Sequence, residues 1–142
     1  MSLHDRSIAV LAYPGYQELE FWYPVLRSRE EGATVRIVAS SEAGCESHLG
    51  YPVVGDADAA GVDVDHLDAL IVPGTVTGRP ALSDDQIQLI KAVRAAGRPL
   101  YAIGTAVATV ADLVGSVDPD GTAADADELP DFIRRLRADL AA

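Results

Sequence analysis

The sequence is poor in cysteine, in positive charge and in long apolar runs. Its single cysteine, Cys45, excludes an intrachain disulfide and a multi-cysteine metal site. Eleven basic residues stand against twenty-two acidic ones, a formal net charge of −11 that opposes binding to nucleic acid or to an anionic membrane. No apolar run approaches the roughly 20 residues of a membrane-spanning helix, and the first residues lack the apolar core of a signal peptide. We expect no nucleic-acid partner, no membrane partner and a cytoplasmic location.

The one cysteine is in a setting that disfavours reactivity. Glu42 and Glu46 flank Cys45 in a polar stretch, and neighbouring carboxylates disfavour a thiolate. We therefore interpret Cys45 as an incidental thiol rather than a nucleophile.

The length and composition are those of one globular domain. The chain has 142 residues, 49% of them hydrophobic and 23% charged, which is enough for a single buried core. We assign residues 1–142 to one domain. The only stretch that resembles a linker is 116–127, which contains an Ala/Asp-rich run.

Apolar patterning predicts strands alternating with helices. Short apolar runs predict strands over 7–12, 35–39, 68–74 and 100–103, and 3.6-residue periodicity predicts helices over 17–31, 83–97, 105–114 and from about 127. Pro24 predicts a kink or break in the first helix, and 40–66 reads as a loop or short hairpin. This alternation predicts an α/β fold with a parallel sheet and right-handed crossovers, whose ligands bind beyond the carboxyl ends of the strands.

The most informative stretch is 99–110, where a buried strand turns into a helix of small residues at Gly104. Such an elbow holds the nucleophile in many α/β enzymes, but glycine supplies no side chain there. The turn is expected to meet two others, at 13–16 and 73–75, at one sheet edge. Backbone N–H groups at these turns favour a carboxylate, an enolate or a developing oxyanion; they belong to Gly74, Thr75, Gly104, Thr105 and Ala106.

These turns, in this order, resemble the DJ-1/PfpI family of the class I glutamine amidotransferase-like superfamily. Residues 13–20, Tyr-Pro-Gly-Tyr-Gln-Glu-Leu-Glu, resemble the family's first turn and place Glu20 at its acidic position. Val-Pro-Gly-Thr at 72–75 is similar to the family's Pro-Gly-Gly, and Ile-Gly-Thr-Ala at 103–106 stands where the family has Ile-Cys-His-Gly. The resemblance covers 6–115 and resumes at 127–140.

The resemblance implies a flavodoxin-like three-layer sandwich and a homodimer, but the chain departs from the family pattern. Gly104 replaces the nucleophilic cysteine and Thr105 the neighbouring histidine. Residues 116–126 stand where members carry several further strands, so the fold is expected to be truncated after the elbow helix, with a fifth strand left open. The three histidines match no family position; they are His4, His48 and His66.

Each candidate residue has a functional and a structural interpretation. Glu20 is a general acid or base, or a buried carboxyl retained by ancestry. Thr105 is a nucleophile only if a base adjoins it, and otherwise begins a helix. Tyr13 and Tyr16 line the crevice mouth or cap the core, and Arg79 clamps an anion or is a solvated loop residue.

Two functions follow, neither with a cofactor or a metal. The first is binding of a small carbonyl or carboxylate metabolite at the strand-end crevice without thiol chemistry, by Tyr16, Gly74, Thr75, Gly104 and Thr105. The alternative is a cofactor-independent lyase, hydratase or isomerase with Glu20 as general acid or base. A homodimer is compatible with both, and Trp22 and Tyr23 on the first helix are core or dimer contacts.

Overall fold

The computed structural model of the protein describes residues 2–141. The strands are β1 (Ser7–Ala12), β2 (Thr34–Ala39), β3 (Cys45–Glu46), β4 (Pro52–Val53), β5 (Ala69–Val72), β6 (Leu100–Ile103) and β7 (Thr122–Ala123). The helices are α1 (Glu18–Glu30), α2 (Asp84–Ala95), α3 (Ala106–Val114) and α4 (Leu129–Ala141). Within the described residues, none of these helices is long and apolar enough to cross a membrane.

The main sheet has five strands in the order β2-β1-β5-β6-β7, and every neighbouring pair is parallel. The predicted parallel α/β sheet is therefore confirmed. The chain leaves β1 toward β2 on one side and later returns to β5 on the other, so the strand order reverses between β1 and β5. In such sheets the reversal opens a crevice at the carboxyl ends of the strands.

Alternating side chains of the sheet build a core on each face. In β1, Ile8, Val10 and Ala12 pack into the cluster that includes side chains of α1 and α4. Ala9 and Leu11 point the other way, into the cluster formed with α2 and α3. Because successive residues of a strand face opposite sides, a continuous apolar run serves both layers. The result is the predicted three-layer sandwich.

The segment after the elbow helix is ordered structure rather than a linker. Pro119–Gly121 forms a 3-10 turn, and β7 then pairs with the end of β6. The interpretation of 116–127 as a linker is wrong, because Ala123 is fully buried and joins the α1/α4 core. A fifth strand, left open by the sequence, is present as a two-residue edge strand.

Helix α1 runs through Pro24 without interruption, so the predicted break is wrong. Gln17 caps its amino end, with the side-chain oxygen accepting from the Glu20 N–H at 2.8 Å. Proline lacks an N–H and cannot donate to the carbonyl four residues earlier, which is that of Glu20. The packing of buried Phe21 and Val25 holds the helix together across this missing bond.

Helix α2 begins as predicted, with a capping box between Ser83 and Gln86. The fully buried Gln86 side chain also donates to Ala12 O at 2.8 Å and to Val38 O at 3.0 Å. These bonds join the start of α2 to the carboxyl ends of β1 and β2. Backbone carbonyls at the carboxyl ends of these two neighbouring strands are thereby satisfied.

Candidate functional site

Glu20, Gly74 and Gly104 lie together at the carboxyl ends of β1, β5 and β6. Glu20 is in the first turn of α1 and is only 7% exposed. Its Oε1 accepts from the Gly74 N–H at 3.0 Å. The site is therefore centred on a buried carboxyl that the fold holds against two glycines.

The Glu20 carboxyl occupies the space at the elbow apex. A Cβ added to Gly104 would lie 2.7 Å from Oε1 and 3.0 Å from Oε2, and one added to Gly74 would lie 2.6 Å from Oε1. Gly104 also has φ +58°, in the left-handed region that favours glycine. Any side chain at 104 would displace the carboxyl, so glycine at the apex and the acid against it belong to one arrangement.

The backbone amides expected to bind an anion are engaged within the protein. The N–H of Gly74, just after β5, donates to the Glu20 carboxyl, as described above. The Thr75 N–H donates to Thr105 Oγ1 at 2.8 Å, and the Gly104 N–H donates to Ala123 O at 2.8 Å. The expectation that these N–H groups are free for an anion is therefore wrong for Gly74, Thr75 and Gly104, each of which already has an acceptor within the protein.

Thr105 has a structural role in this geometry. Besides accepting from Thr75, its hydroxyl lies 3.3 Å from Thr75 O, to which it donates. Thr75 Oγ1 in turn donates to Gly15 O at 2.7 Å, which links the three turns. Among the described residues no side-chain base contacts the Thr105 hydroxyl, so the nucleophile hypothesis gains no support.

Burial shapes the electrostatics of Glu20. Desolvation raises the pKa of its carboxyl above the ordinary value, and the Gly74 N–H bond opposes that rise. Asp125 raises this pKa further by charge repulsion, and His48 lowers it by attraction. A raised pKa extends the pH range over which the carboxyl keeps its proton.

Sequence reasoning missed His48 and Asp125 as neighbours of Glu20. His48 lies in the loop between β3 and β4, and Asp125 follows the edge strand β7. Neither position lies in a motif of the elbow or of the first turn. Only the folding of two distant loops toward the carboxyl end of β1 brings them within charge range.

The two tyrosines near the crevice are core residues. Both are fully buried; Tyr13 OH donates to Pro73 O at 2.6 Å and Tyr16 OH to Tyr51 O at 3.1 Å. Burial raises the pKa of Tyr16 to about 12. The Tyr16 ring is therefore not available to a ligand, and the core-capping interpretation describes both residues.

The remaining candidates lie outside the site. Arg79 pairs with Asp112 at 2.5 Å in a well-exposed ion pair, as expected of a solvated loop residue. Cys45 is half-buried, and burial raises the pKa of its thiol to about 11. Within residues 2–141, no group of three or more His, Cys, Asp or Glu side chains is placed to hold a metal ion.

Three cavities lie away from the crevice. One of about 700 Å³ opens at the amino ends of β6 and β7, and others of about 250 and 230 Å³ lie near the end of β2 and beneath 57–67. None of these three is lined by Glu20, Gly74 or Gly104. The chemistry of the carboxyl, rather than cavity size, identifies the strand-end site.

The chain belongs to the DJ-1/PfpI family, whose sequence profile matches residues 6–115. This is the segment that contains all three turns of the site. The family's elbow cysteine is represented here by Gly104, and the single cysteine, Cys45, lies in another part of the fold.

Curated relatives match about two thirds of the chain. An uncharacterized protein of Archaeoglobus fulgidus is 30% identical over 97 residues, covering 68% of this chain and 58% of its own length. A protein of Thermococcus kodakarensis named as a deglycase is 30% identical over 101 residues, covering 68% of this chain and 59% of its own length. The chain thus spans less than two thirds of the curated relatives it matches.

Solved structures share the fold. A cysteine-to-alanine variant of a DJ-1 superfamily protein from Salmonella typhimurium aligns with a TM-score of 0.79 at 22% identity, covering 96% of this chain and 90% of that one. Oxidized DJ-1 of Toxoplasma gondii aligns with a TM-score of 0.80 at 19% identity, covering 95% and 90%. At these identities the likeness establishes the fold.

Proposed function

We propose that this protein binds a small neutral carbonyl compound at Glu20, without thiol chemistry. The observation that carries the proposal is the position of the Glu20 carboxyl, seated at the elbow apex against Gly104 and bonded to the Gly74 N–H. In its protonated form this carboxyl donates a hydrogen bond to a carbonyl oxygen. As a carboxylate it accepts one from the ligand.

A neutral ligand fits this site better than a carboxylate. An anion would meet the charge of Glu20, and the amides of Gly74, Thr75 and Gly104 already have acceptors. Bringing a second carboxylate to a buried one is unfavourable unless one of the two is protonated. We therefore retain the carbonyl compound from the sequence-based expectation and give up the carboxylate.

The second candidate function is proton-transfer catalysis by the same residue. The upward shift of the Glu20 pKa is the observation that favours it, because it extends the pH range over which the carboxyl keeps a proton to donate. The curated relative from Thermococcus kodakarensis carries the name deglycase. For this chain we propose a cofactor-independent lyase, hydratase or isomerase reaction, with no covalent intermediate at residue 104.

The Glu20→Gln variant tests both functions. A panel of small aldehydes and ketones is screened by ligand-observed NMR for binding and by product NMR for turnover. Glu30→Gln, on the exposed end of the same helix, is the matched control. We expect binding to weaken about tenfold or more in Glu20→Gln, as for loss of a hydrogen bond to a buried acid, and to persist in Glu30→Gln.

The outcomes separate the candidates. Binding that depends on Glu20 without any product supports the binding protein, and Glu20-dependent turnover supports the enzyme. Equal binding by the unmodified protein and Glu20→Gln would overturn both.

We also propose that the protein forms a homodimer through the outer face of α1. Leu19 and Leu26 are 57% and 52% exposed on this helix, and Trp22 and Tyr23 between them are half-buried. Spacings of three and four residues place these side chains on one stripe. Light scattering should give a dimer that Leu19→Glu/Leu26→Glu dissociates; a monomeric unmodified protein would refute the proposal. A cytoplasmic location stays a prediction from the sequence.

A further inference from the structure

The cavity of about 700 Å³ at the amino end of β6 crosses the edge of the sheet. Leu100 and Tyr101, which both line it, point to opposite faces of the sheet. Leu100 packs into the core shared with α2 and α3, and Tyr101 into the core shared with α1 and α4. Because β7 pairs with Ala102 and Ile103, no strand lies beside the start of β6 on this side within the described residues. The cavity therefore reaches from the α2 layer to the α4 layer.

The main chain of Leu100 faces this gap in the sheet. The carbonyl of the preceding residue, Pro99, accepts from the Leu70 N–H in β5 at 3.1 Å. Since successive peptide groups of a strand point to opposite sides, the Leu100 carbonyl points away from β5. A Cβ added to Gly121 would lie 3.2 Å from Leu100 O, and Gly121 has no side chain to cover that oxygen. A ligand in the cavity thus has a backbone acceptor at Leu100.

Charged side chains of both signs line the same cavity. The guanidinium groups belong to Arg94 and Arg98, and the carboxylates to Asp118, Asp120 and Asp139. The ion pairs found among residues 2–141 include none of these five side chains. A purely anionic ligand would meet the carboxylates, and a purely cationic one the guanidinium groups. A ligand that carries both charges complements this lining.

Hydrogen bonds fix a positive and a negative end of the cavity. On the α2 side, Nη2 of Arg94 donates to Ser116 O, and a guanidinium has five N–H donors, so others stay available. On the α4 side, Asp139 Oδ2 accepts from the buried Tyr101 hydroxyl at 3.0 Å, which leaves further lone pairs on the carboxylate. The two ends belong to helices that pack on opposite faces of the sheet.

We propose that this cavity binds a short peptide with free termini, about two or three residues long, at a site separate from Glu20. The terminal carboxylate accepts from Arg94, the terminal ammonium donates to Asp139, and a peptide N–H donates to Leu100 O. An extended residue spans about 3.3–3.6 Å, so a short peptide separates its two charges enough to bridge the helix layers, whereas a free amino acid holds both on one carbon. The cavity of about 700 Å³ is within the usual range of small-ligand sites, about 300–1,000 Å³.

Arg134 and Asp131 provide matched controls for the two ends. They form an exposed ion pair with each other on α4, and neither lines the cavity. A change in the overall charge of the protein should act equally through Arg94→Gln and Arg134→Gln, and equally through Asp139→Asn and Asp131→Asn. A difference within either pair of variants therefore reports on the cavity.

The first experiment maps binding on the unmodified protein. Backbone ¹⁵N–¹H spectra are recorded during a titration with dialanine. We expect saturable shifts concentrated at 97–101 and 116–121, with a dissociation constant in the millimolar range. Shifts confined to other regions, the Glu20 site included, or no shifts up to about 20 mM would overturn the proposal.

Capped analogues of dialanine test the two charges separately. N-acetyl-dialanine lacks the ammonium group and dialaninamide lacks the carboxylate. Each should bind about fivefold or more weakly than dialanine, as for the loss of a charge-assisted hydrogen bond. Alanine should also bind more weakly, because its charges are too close together to reach both ends. Equal binding of either capped form would overturn the zwitterionic ligand, and equal binding of alanine would overturn the peptide.

The variants assign the two ends. Arg94→Gln should weaken dialanine binding about fivefold or more and leave dialaninamide binding unchanged, and Asp139→Asn should weaken dialanine and leave N-acetyl-dialanine unchanged. Asparagine can still accept from the Tyr101 hydroxyl, which preserves the packing there. If both variants bind dialanine as Arg134→Gln and Asp131→Asn do, the proposal is wrong. The capped analogues are compared on the unmodified protein, so their result stands even where a variant fails to fold.

Discussion

The carboxyl of Glu20 lies where a side chain on residue 104 would project. Only hydrogen at that position lets Oε1 reach the Gly74 N–H, since a Cβ on Gly104 would lie 2.7 Å from it. The elbow apex and the acid are therefore interdependent. This relationship is the basis of the predictions that follow for the site.

Gly104→Ala should destabilise the protein by about 2–4 kcal/mol, combining the strain of a left-handed backbone with the crowding of the carboxyl. Gly97→Ala is the control, because Gly97 has φ +69° and no atom within 4 Å of an added Cβ. Gly97→Ala should lower the unfolding free energy by about 1 kcal/mol, from backbone strain alone. Urea denaturation measures both. Equal losses of stability in the two variants would show that the Glu20 carboxyl moves aside for the new methyl group at no energetic cost.

The contact between the two positions should appear as non-additivity. In Glu20→Ala/Gly104→Ala the carboxyl is absent, so the added methyl group has space. We expect the double variant to be more stable than the sum of the single changes by about 1 kcal/mol or more. Additive losses would contradict a direct steric contact.

Gly74→Ala should cost about 2–3 kcal/mol through crowding. An added Cβ would lie 2.6 Å from Glu20 Oε1, 2.7 Å from Ile103 O and 2.9 Å from Thr105 N. Two of these three atoms are backbone, which has little freedom to move. Gly61→Ala, where nothing lies within 4 Å, should be within about 0.5 kcal/mol of the unmodified protein. Thermal or urea unfolding of Gly74→Ala and Gly61→Ala measures both changes in stability.

The stability of Glu20→Gln should depend on pH relative to the unmodified protein. Folding raises the pKa of Glu20, so its contribution to stability is fully present below the unfolded pKa of 4.5 and is lost as pH rises through the folded value. Glutamine does not titrate, and its oxygen can still accept from Gly74. The unfolding free energy of Glu20→Gln should therefore increase relative to that of the unmodified protein as pH rises from 4.5. A difference in unfolding free energy that is flat with pH would contradict the burial of the charge.

Arg135 should protect the exposed edge of the sheet. Its guanidinium donates from Nε to Asp120 O at 3.0 Å and from Nη2 to Thr122 O at 2.7 Å, covering carbonyls of the edge segment. Arg135→Ala should cost about 1–2 kcal/mol and increase concentration-dependent association, because unpaired edges recruit other strands.

Arg134→Ala is the control for Arg135→Ala. Arg134 lies on the same helix and pairs with Asp131 in an exposed ion pair. Its removal should change stability by less than about 0.5 kcal/mol. Sedimentation at increasing concentration compares the two variants. Equal association of the two variants would show that Arg135 does not protect the sheet edge.

Most of the architecture could be predicted because its signals are local. The apolar runs at β1, β2, β5 and β6, the Ser83 cap and the glycine that ends α3 each act within a few residues. The fifth strand could not be predicted, since Thr122 and Ala123 have no apolar run of their own and depend on pairing with β6. The continuity of α1 through Pro24 was likewise decided by packing of its neighbours.

The sequence pattern placed Gly74 and Gly104 at one sheet edge, because parallel strands bring their carboxyl ends together whatever the side-chain detail. The resemblance to the DJ-1/PfpI family placed Glu20 in the same crevice. Tertiary structure decided what those residues do there. It paired the Gly104 N–H with Ala123, the Tyr16 hydroxyl with Tyr51 O and the Gly74 N–H with Glu20. Each of these contacts joins residues at least nineteen positions apart in the sequence. They depend on loop closure and packing of the whole fold, which no local pattern encodes.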